Sequence, residues 1–279
     1  MPAKIDDILD EDITSLPAVY YKLREAFLDP ECSYKDCAKI ISLEPGLAAR
    51  LLRIVNSSFY GFSEKIETIY HALSIIGVDH LNNLVLATAV INKFKGIPEE
   101  LVDMKSFWRH GVACGMAARE IGERKKTGNT EPLYLAGLLH DIGSLIIYNK
   151  LPNKAKDVFT LCEQTEEPLF QVEYKVMGFN HTDIGSALLK AWKLPMRLVE
   201  AASFHHHPLQ AKEFPIEAGM VHLADIIAYE LNPNCKAEPL PPPLEEEVWK
   251  QIDMPPAVLP SVQDYIEIAF EETVSMFLD

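Results

Sequence analysis

The chain is poor in cysteine, in positive charge and in long apolar runs, and each shortage removes a class of protein. Its five cysteines (Cys32, Cys37, Cys114, Cys162 and Cys235) are an odd number and contain no C-x-x-C pair. That argues against a disulfide framework or a thiolate zinc site and for reduced thiols in a cytosol. No run approaches the ~20 apolar residues needed to cross a bilayer. The opening Met1-Pro2-Ala3-Lys4-Ile5-Asp6-Asp7 lacks the basic-then-apolar pattern of a secretory signal, so a cytoplasmic protein without a membrane partner is expected. There is no alternating β pattern of useful length, no Gly-rich phosphate loop and no internal repeat. Lys and Arg total 26 against 41 acids, a net charge of −15, which disfavours nucleic acid as a partner. From Leu244 to Asp279 the only base is Lys250. That tail reads first as a solvated helical face and second as an acidic docking surface.

What is present is helical. Hydrophobic residues make up 48% of the chain, enough for a substantial core. Pro45 suits a first helical turn, and Leu47, Leu51, Ile54 and Val55 follow at helical spacing with Arg50 and Arg53 on the opposite face. A glycine stop at Gly61 ends that segment. A second helix fits Ile69, Leu73 and Ile76 before Gly77, and Asp79 is placed to cap a third running to about Phe94. Tyr265, Ile268, Ala269, Thr273 and Phe277 predict a final amphipathic helix. The expected class is all-α. Breaks at 96–100 and in the proline-rich stretch 238–243 divide the chain into three expected segments. These are an N-terminal helical subdomain over 1–96, a histidine-rich bundle over 97–238, and a connector with acidic C-terminal helices over 239–279 that packs back on the body.

Seven of the nine histidines lie between residues 110 and 222. His140-Asp141 interrupts the apolar stretch Leu135-Ala136-Gly137-Leu138-Leu139, and Asp225 sits in the apolar stretch Val221–Ala228. A buried, unpaired carboxylate costs several kcal/mol, so each acid needs a cation or a hydrogen-bond network. His110, His181, His205 and His206 occur in similar helical settings. Singly, each is the usual capped or core-satisfied polar residue. Together they form a His and Asp ligand set suited to one or two divalent ions, with Fe, Mn or Zn favoured and Ni or Mg next.

The succession His110, His140-Asp141, His181, His205-His206 and Asp225 resembles the HD superfamily of metal-dependent phosphohydrolases. The N-terminal half is more specific. Leu16-Pro17-Ala18, the block from Ile40 through Glu44-Pro45-Gly46 to Asn56-Ser57-Ser58-Phe59-Tyr60-Gly61, and Ile69-Tyr70-His71-Ala72-Leu73-Ser74-Ile75-Ile76-Gly77 resemble the HDOD family. That resemblance covers roughly residues 10 to 230 and implies a helical N-terminal subdomain with an HD-like bundle and a role in bacterial signal output. It also implies that His110, His140, Asp141, His181, His205, His206 and Asp225 are metal ligands. His207 falls on a variable position, and His222, one turn before Asp225, reads as a neighbour.

Three departures separate this chain from the related cyclic di-nucleotide phosphodiesterases. Ser144 stands where they carry a lysine, no Gly-Tyr-Pro follows Pro208, and Ser106 replaces an acid one turn before His110. The leading expectation is therefore a non-catalytic signalling scaffold that holds metal and presents a surface to a protein partner. The alternative is a metal-dependent phosphohydrolase acting on a small nucleotide or phosphodiester, with Asp141 in the catalytic centre and Arg109, Arg119 or Lys190 as the nearest phosphate-binding candidates.

Overall fold

The computed structural model describes residues 4–57, 60–94, 97–233 and 240–278. Among them every regular element is a helix. The all-α expectation holds. No single helix among them is long and apolar enough to cross a membrane. The contacts divide the chain into two compact units, one of residues 15–95 with 268–279, the other of residues 1–14 with 96–267. The division groups the first fourteen residues with 96–267 and the last twelve with 15–95. Of the two expected breaks, Gly96 and Glu238-Pro239 lie outside the described residues, as do Ser58, Phe59 and Cys235.

The first fourteen residues carry two short helices, α1 (Ile5–Ile8) and α2 (Glu11–Thr14). The N-terminal unit then runs α3 (Ala18–Leu28), α4 (Tyr34–Ser42), α5 (Pro45–Val55), α6 (Ile69–Ile76) and α7 (Val78–Lys93). Ser33 caps α4 reciprocally with Asp36, and Pro45 opens α5, where its missing N–H costs nothing. Leu51, Ile54 and Val55 are buried as the spacing required, whereas Leu47 stays half-exposed. Asn56 has a structural task. Its amide donates to Ile66 O (2.8 Å) and accepts from Ile66 N (2.8 Å), which clips the loop after α5 onto the chain entering α6. Gly77, at φ +79°, ends α6 and begins α7. Asp79 is inside the first turn of α7 and makes no cap there; it adds only favourable charge at the positive end of the helix dipole.

The second unit contains α8 (Met104–Lys125), α9 (Glu131–Leu139), α10 (Ile142–Lys150), α11 (Pro152–Thr165), α12 (Leu169–Met177), α13 (His181–Ala191), α14 (Met196–Phe204), α15 (Pro215–Leu231) and α16 (Val248–Ile252). A last helix, α17, spans Leu259–Leu278. Its buried stripe is Val262, Ile266, Phe270, Thr273, Val274 and Phe277, while Tyr265 and Ile268 face outward at 49% and 86% exposure. The helix was expected, and of its expected stripe Thr273 and Phe277 are buried and Ala269 half-buried, whereas Val262, Ile266 and Phe270 take the interior places read for Tyr265 and Ile268.

In this unit α8 is central and packs on α9 and α15. Glycine makes that crossing tight: a Cβ on Gly137 would lie 2.6 Å from Cys114 O. Glu200 on α14 accepts the amides of Glu213 and Phe214 (3.1 and 2.8 Å) and so fixes the start of α15. Among the described cysteines, Cys32 and Cys37 have their sulfurs 3.5 Å apart, beyond the ~2.05 Å of a disulfide, and Cys114 and Cys162 are buried. All four are free thiols.

The tightest approach in the unit lies between α10 and α13, where a Cβ on Gly143 would come 2.0 Å from His181 O and 2.7 Å from Gly185 N. Both atoms are backbone, so neither can yield. Gly143→Ala should therefore destabilise the protein by about 3 kcal/mol or more in a denaturant melt. Gly46→Ala, whose added methyl meets nothing within 4 Å, should be neutral or stabilising by ~0.5 to 1 kcal/mol. Equal effects would contradict the packing argument.

Candidate metal centre

His140 and Asp141 do not lie within one continuous helix, as the apolar run suggested. His140 closes α9 and Asp141 opens α10, so the pair occupies a break between helices. The break turns the carboxylate inward and leaves it at the positive end of α10. His110 projects from the first half of α8, His181 is the first residue of α13, His205 and His206 follow α14, and Asp225 sits in the third turn of α15. All seven side chains are buried, with at most 8% of any residue exposed.

They form two groups that meet at Asp141. Its Oδ1 lies 3.3 Å from His181 Nε2 and 3.5 Å from His205 Nε2, and His206 Nε2 is 3.1 Å from His181 Nε2. Its Oδ2 lies 3.3 Å from His140 Nε2 and 3.9 Å from His110 Nε2. Asp225 Oδ1 completes the second group, 3.0 Å from His110 Nε2 and 3.4 Å from His140 Nε2. Within each group the donor atoms lie within 4.8 Å of one another. Bonds of about 2.1 Å place neighbouring ligand atoms about 3.0 Å apart in an octahedron and about 3.4 Å apart in a tetrahedron. The spacing in each group is one that could hold a metal ion.

The outer ring nitrogens fix the tautomers. His181 Nδ1 donates to Glu173 Oε2 (2.7 Å), His205 Nδ1 to Ala202 O (3.0 Å) and His140 Nδ1 to Gly137 O (2.7 Å). Each must carry its proton on Nδ1, because the partner can only accept. The Nε2 lone pairs of His181 and His205 therefore face each other at 3.4 Å, with Asp141 Oδ1 beside both. His206 is the one member of this group with a ring proton to share. His140 Nε2, His206 Nδ1 and Asp225 Oδ2 are buried without a hydrogen bond among the described residues. Electron-rich atoms packed this way call for a cation.

Electrostatics agree. Burial alone would raise the carboxyls of Asp141 and Asp225, but the imidazoles, His140 foremost, hold both well below the usual carboxylate range. Burial pushes His205 down to about 4 against the pull of the Asp141 carboxylate, and pushes His206 well down, with the crowding of His205 and His181 acting the same way. Both are neutral at pH 7, the form that ligates. His140 goes the other way: burial would lower it, and the carboxylates of Asp141 and Asp225 carry it well above its ordinary value.

Sequence reasoning missed Glu173. It is 1% exposed on α12, and one of its oxygens accepts both the backbone N–H and the ring N–H of His181. Three residues earlier on α12, Phe170 stacks on His206 at 4.3 Å. An acid on an otherwise apolar helical face was the available signal. His222 is a supporting residue: its Nδ1 donates to His205 O (2.7 Å) and its Nε2 accepts from Glu245 N (3.1 Å). His207 is exposed and lies outside the cluster. Ser144 is buried beside Gly143, Arg119 is tied to Glu131 at 3.2 Å, and Lys190 is exposed on α13.

The HDOD domain model matches residues 13–208. The chain belongs to the HDOD family. A curated relative from Treponema pallidum (strain Nichols), an uncharacterized protein, is 26% identical over 216 residues, 76% of this chain and 41% of its own length. The chain thus spans less than half of that relative. Among solved structures, the HDOD domain protein with unknown function from Geobacter sulfurreducens aligns with a TM-score of 0.77 at 22% identity, covering 95% of this chain and 93% of that one. The "Putative phosphohydrolase" from Shewanella amazonensis SB2B aligns at 0.75 and 22% identity, covering 97% and 99%. The "Putative signal transduction protein" from Marinobacter aquaeolei VT8 aligns at 0.74 and 19%, covering 95% of this chain and 60% of that one. At these identities the likeness is one of fold.

Glu173→Gln keeps the shape of the side chain and removes its charge from His181. It should weaken metal binding by about tenfold to a hundredfold, read by competition with a chromophoric chelator, while the far-ultraviolet dichroism stays that of the parent. An unchanged affinity would mean that Glu173 serves packing alone.

Proposed function

We propose that this HDOD protein is a signalling scaffold whose HD-type site holds one or two divalent metal ions, with Fe, Mn or Zn the best match to the His and Asp donors. The opposed lone pairs of His181 and His205 beside Asp141 carry the metal assignment. In this reading His181, His205 and His206 would hold one ion and His110, His140 and Asp225 the other, with Asp141 within reach of both. When bound, such ions supply Lewis acidity and hold helices from distant parts of the sequence together.

Support for a non-catalytic role comes from what surrounds the ligands. The lysine of the related phosphodiesterases is replaced by a buried serine, Arg119 is engaged by Glu131, and Lys190 points to solvent. A phosphodiester held by metal alone would be held weakly. Output would then run through a protein partner in the signalling pathway. The N-terminal unit, which carries the most specific family motifs and exposes Tyr70 and Ile75 on α6, is the surface we assign to it. The net charge of −15 again speaks against nucleic acid.

One observation favours the alternative, a metal-dependent phosphohydrolase acting on a small nucleotide or phosphodiester. A cavity of about 450 Å³ beside the ligand-bearing segments is lined by Phe170, Tyr174, Asn180, Thr182 and His207, with room for a ring and polar groups to orient it.

Two measurements test this reading. Elemental analysis should find metal in the parent and little in Asp141→Ala. Excess chelator should lower the melting temperature of the parent only, since a native-state ligand at a thousand times its Kd adds about 4 kcal/mol. Demetallated protein with an unchanged melt would remove the structural role. The metal-loaded protein should leave cyclic di-GMP intact, and a partner retained by the full chain should be lost on Tyr70→Glu/Ile75→Glu. Hydrolysis that vanishes with Asp141→Ala would install the alternative.

A further inference from the structure

The N-terminal unit contains a cavity of about 600 Å³ that the metal-site reading does not use. It lies at the start of α5 and is walled by α3 and α7, with Ala18, Val19, Leu47 and Ala89 as apolar surface. The volume is in the range of small-molecule sites.

Its polar groups share one sign of demand. Arg50 and Arg53 both line it, and neither makes an ion pair or hydrogen bond among the described residues. In a chain with 41 acids and 26 bases, two neighbouring guanidinium groups with no carboxylate partner are out of character. Glu44 is the one acid in the lining, so the balance is two positive charges to one negative. Gly46 and Leu47, the first residues of α5 with an N–H to offer, border the same space, and no side chain caps this helix. A Cβ on Gly46 would meet nothing within 4 Å. Thr88 on α7 adds to this: it lines the cavity, it is 2% exposed, and its hydroxyl has no hydrogen-bond partner among the described residues. Buried hydroxyls are ordinarily satisfied.

We propose that this cavity binds a small amphiphilic organic anion. The acidic head sits at the open N-terminus of α5 between Arg50 and Arg53, and the apolar body lies along Leu47 and Ala89 with the Thr88 hydroxyl as an additional hydrogen-bonding group. A carboxylate or a phosphate monoester satisfies the same donors: backbone N–H groups at a helix start and forked guanidinium groups. The apolar wall requires a hydrocarbon or aryl body attached to that head.

The test uses the full chain and 1-anilinonaphthalene-8-sulfonate as a fluorescent probe, displaced in turn by decanoate, decyl phosphate, decanol, inorganic phosphate and hexaglutamate. One saturable site is expected, with displacement by decanoate or decyl phosphate at far lower concentration than by the other three. Whichever alkyl anion displaces first identifies the head group. Arg50→Ala/Arg53→Ala should weaken that displacement at least about tenfold. Gly46→Leu, which leaves the charges alone and fills the open space, should weaken it comparably. Matching melting curves establish that each variant is folded. Displacement by inorganic phosphate as effective as by the alkyl anions would reduce the site to a bare anion contact and overturn the proposal. Displacement by hexaglutamate would reassign it to an acidic protein segment, and affinity unchanged in both variants would place the probe elsewhere.

Discussion

Buried negative charge with no Lys or Arg ion-paired to it among the described residues is the constraint on which the second unit is arranged. Asp141 and Asp225 are placed in a helical interior where water cannot solvate them, and the residues within reach are imidazoles. Those imidazoles are locked by their outer nitrogens onto Gly137 O, Ala202 O and Glu173, so they present lone pairs inward. The helices must bring these groups together and something positive must then sit among them. A proton on His140 meets part of that demand, and a metal meets all of it.

The support around the candidate ligands is as specific as the candidates themselves. Glu173 holds His181 twice, Phe170 stacks His206 from the same helix, and His222 ties the carbonyl of His205 to the amide of Glu245. Groups held this way lose little freedom on binding an ion, which is how a buried site gains affinity without more donors.

Much of this was legible in the sequence, for reasons that differ by residue. Helix spans followed from periodicity, since Ile54 and Leu73 had to face a core. The seven candidate ligands followed from carboxylates in apolar runs and from their resemblance to a known order. Glu173 was missed although it shares a face with Phe170, Val172 and Met177, because an acid in an amphipathic helix reads as surface until the fold shows which face is inward. The break between His140 and Asp141 was hidden by the apolar residues on both sides of it, which fit one long helix as well as two short ones. The C-terminal half of the α17 stripe, Thr273 and Phe277, was read correctly, but its first half was not, because Tyr265 and Ile268 at i, i+3 compete with Ile266 and Phe270 at i, i+4 and both spacings fit a helical face.

The contact at Gly143 has a diagnostic consequence. Its α-carbon abuts the backbone of His181, so what the position contributes to the site is a distance between two helices rather than a chemical group. Alanine and serine, the mildest replacements by any substitution scale, add the one atom for which there is no room. A sequence of this fold with another residue there has moved α10 away from α13 and widened the gap between Asp141 and His181. Retention of all seven ligands would then say little about whether the pocket still closes on an ion.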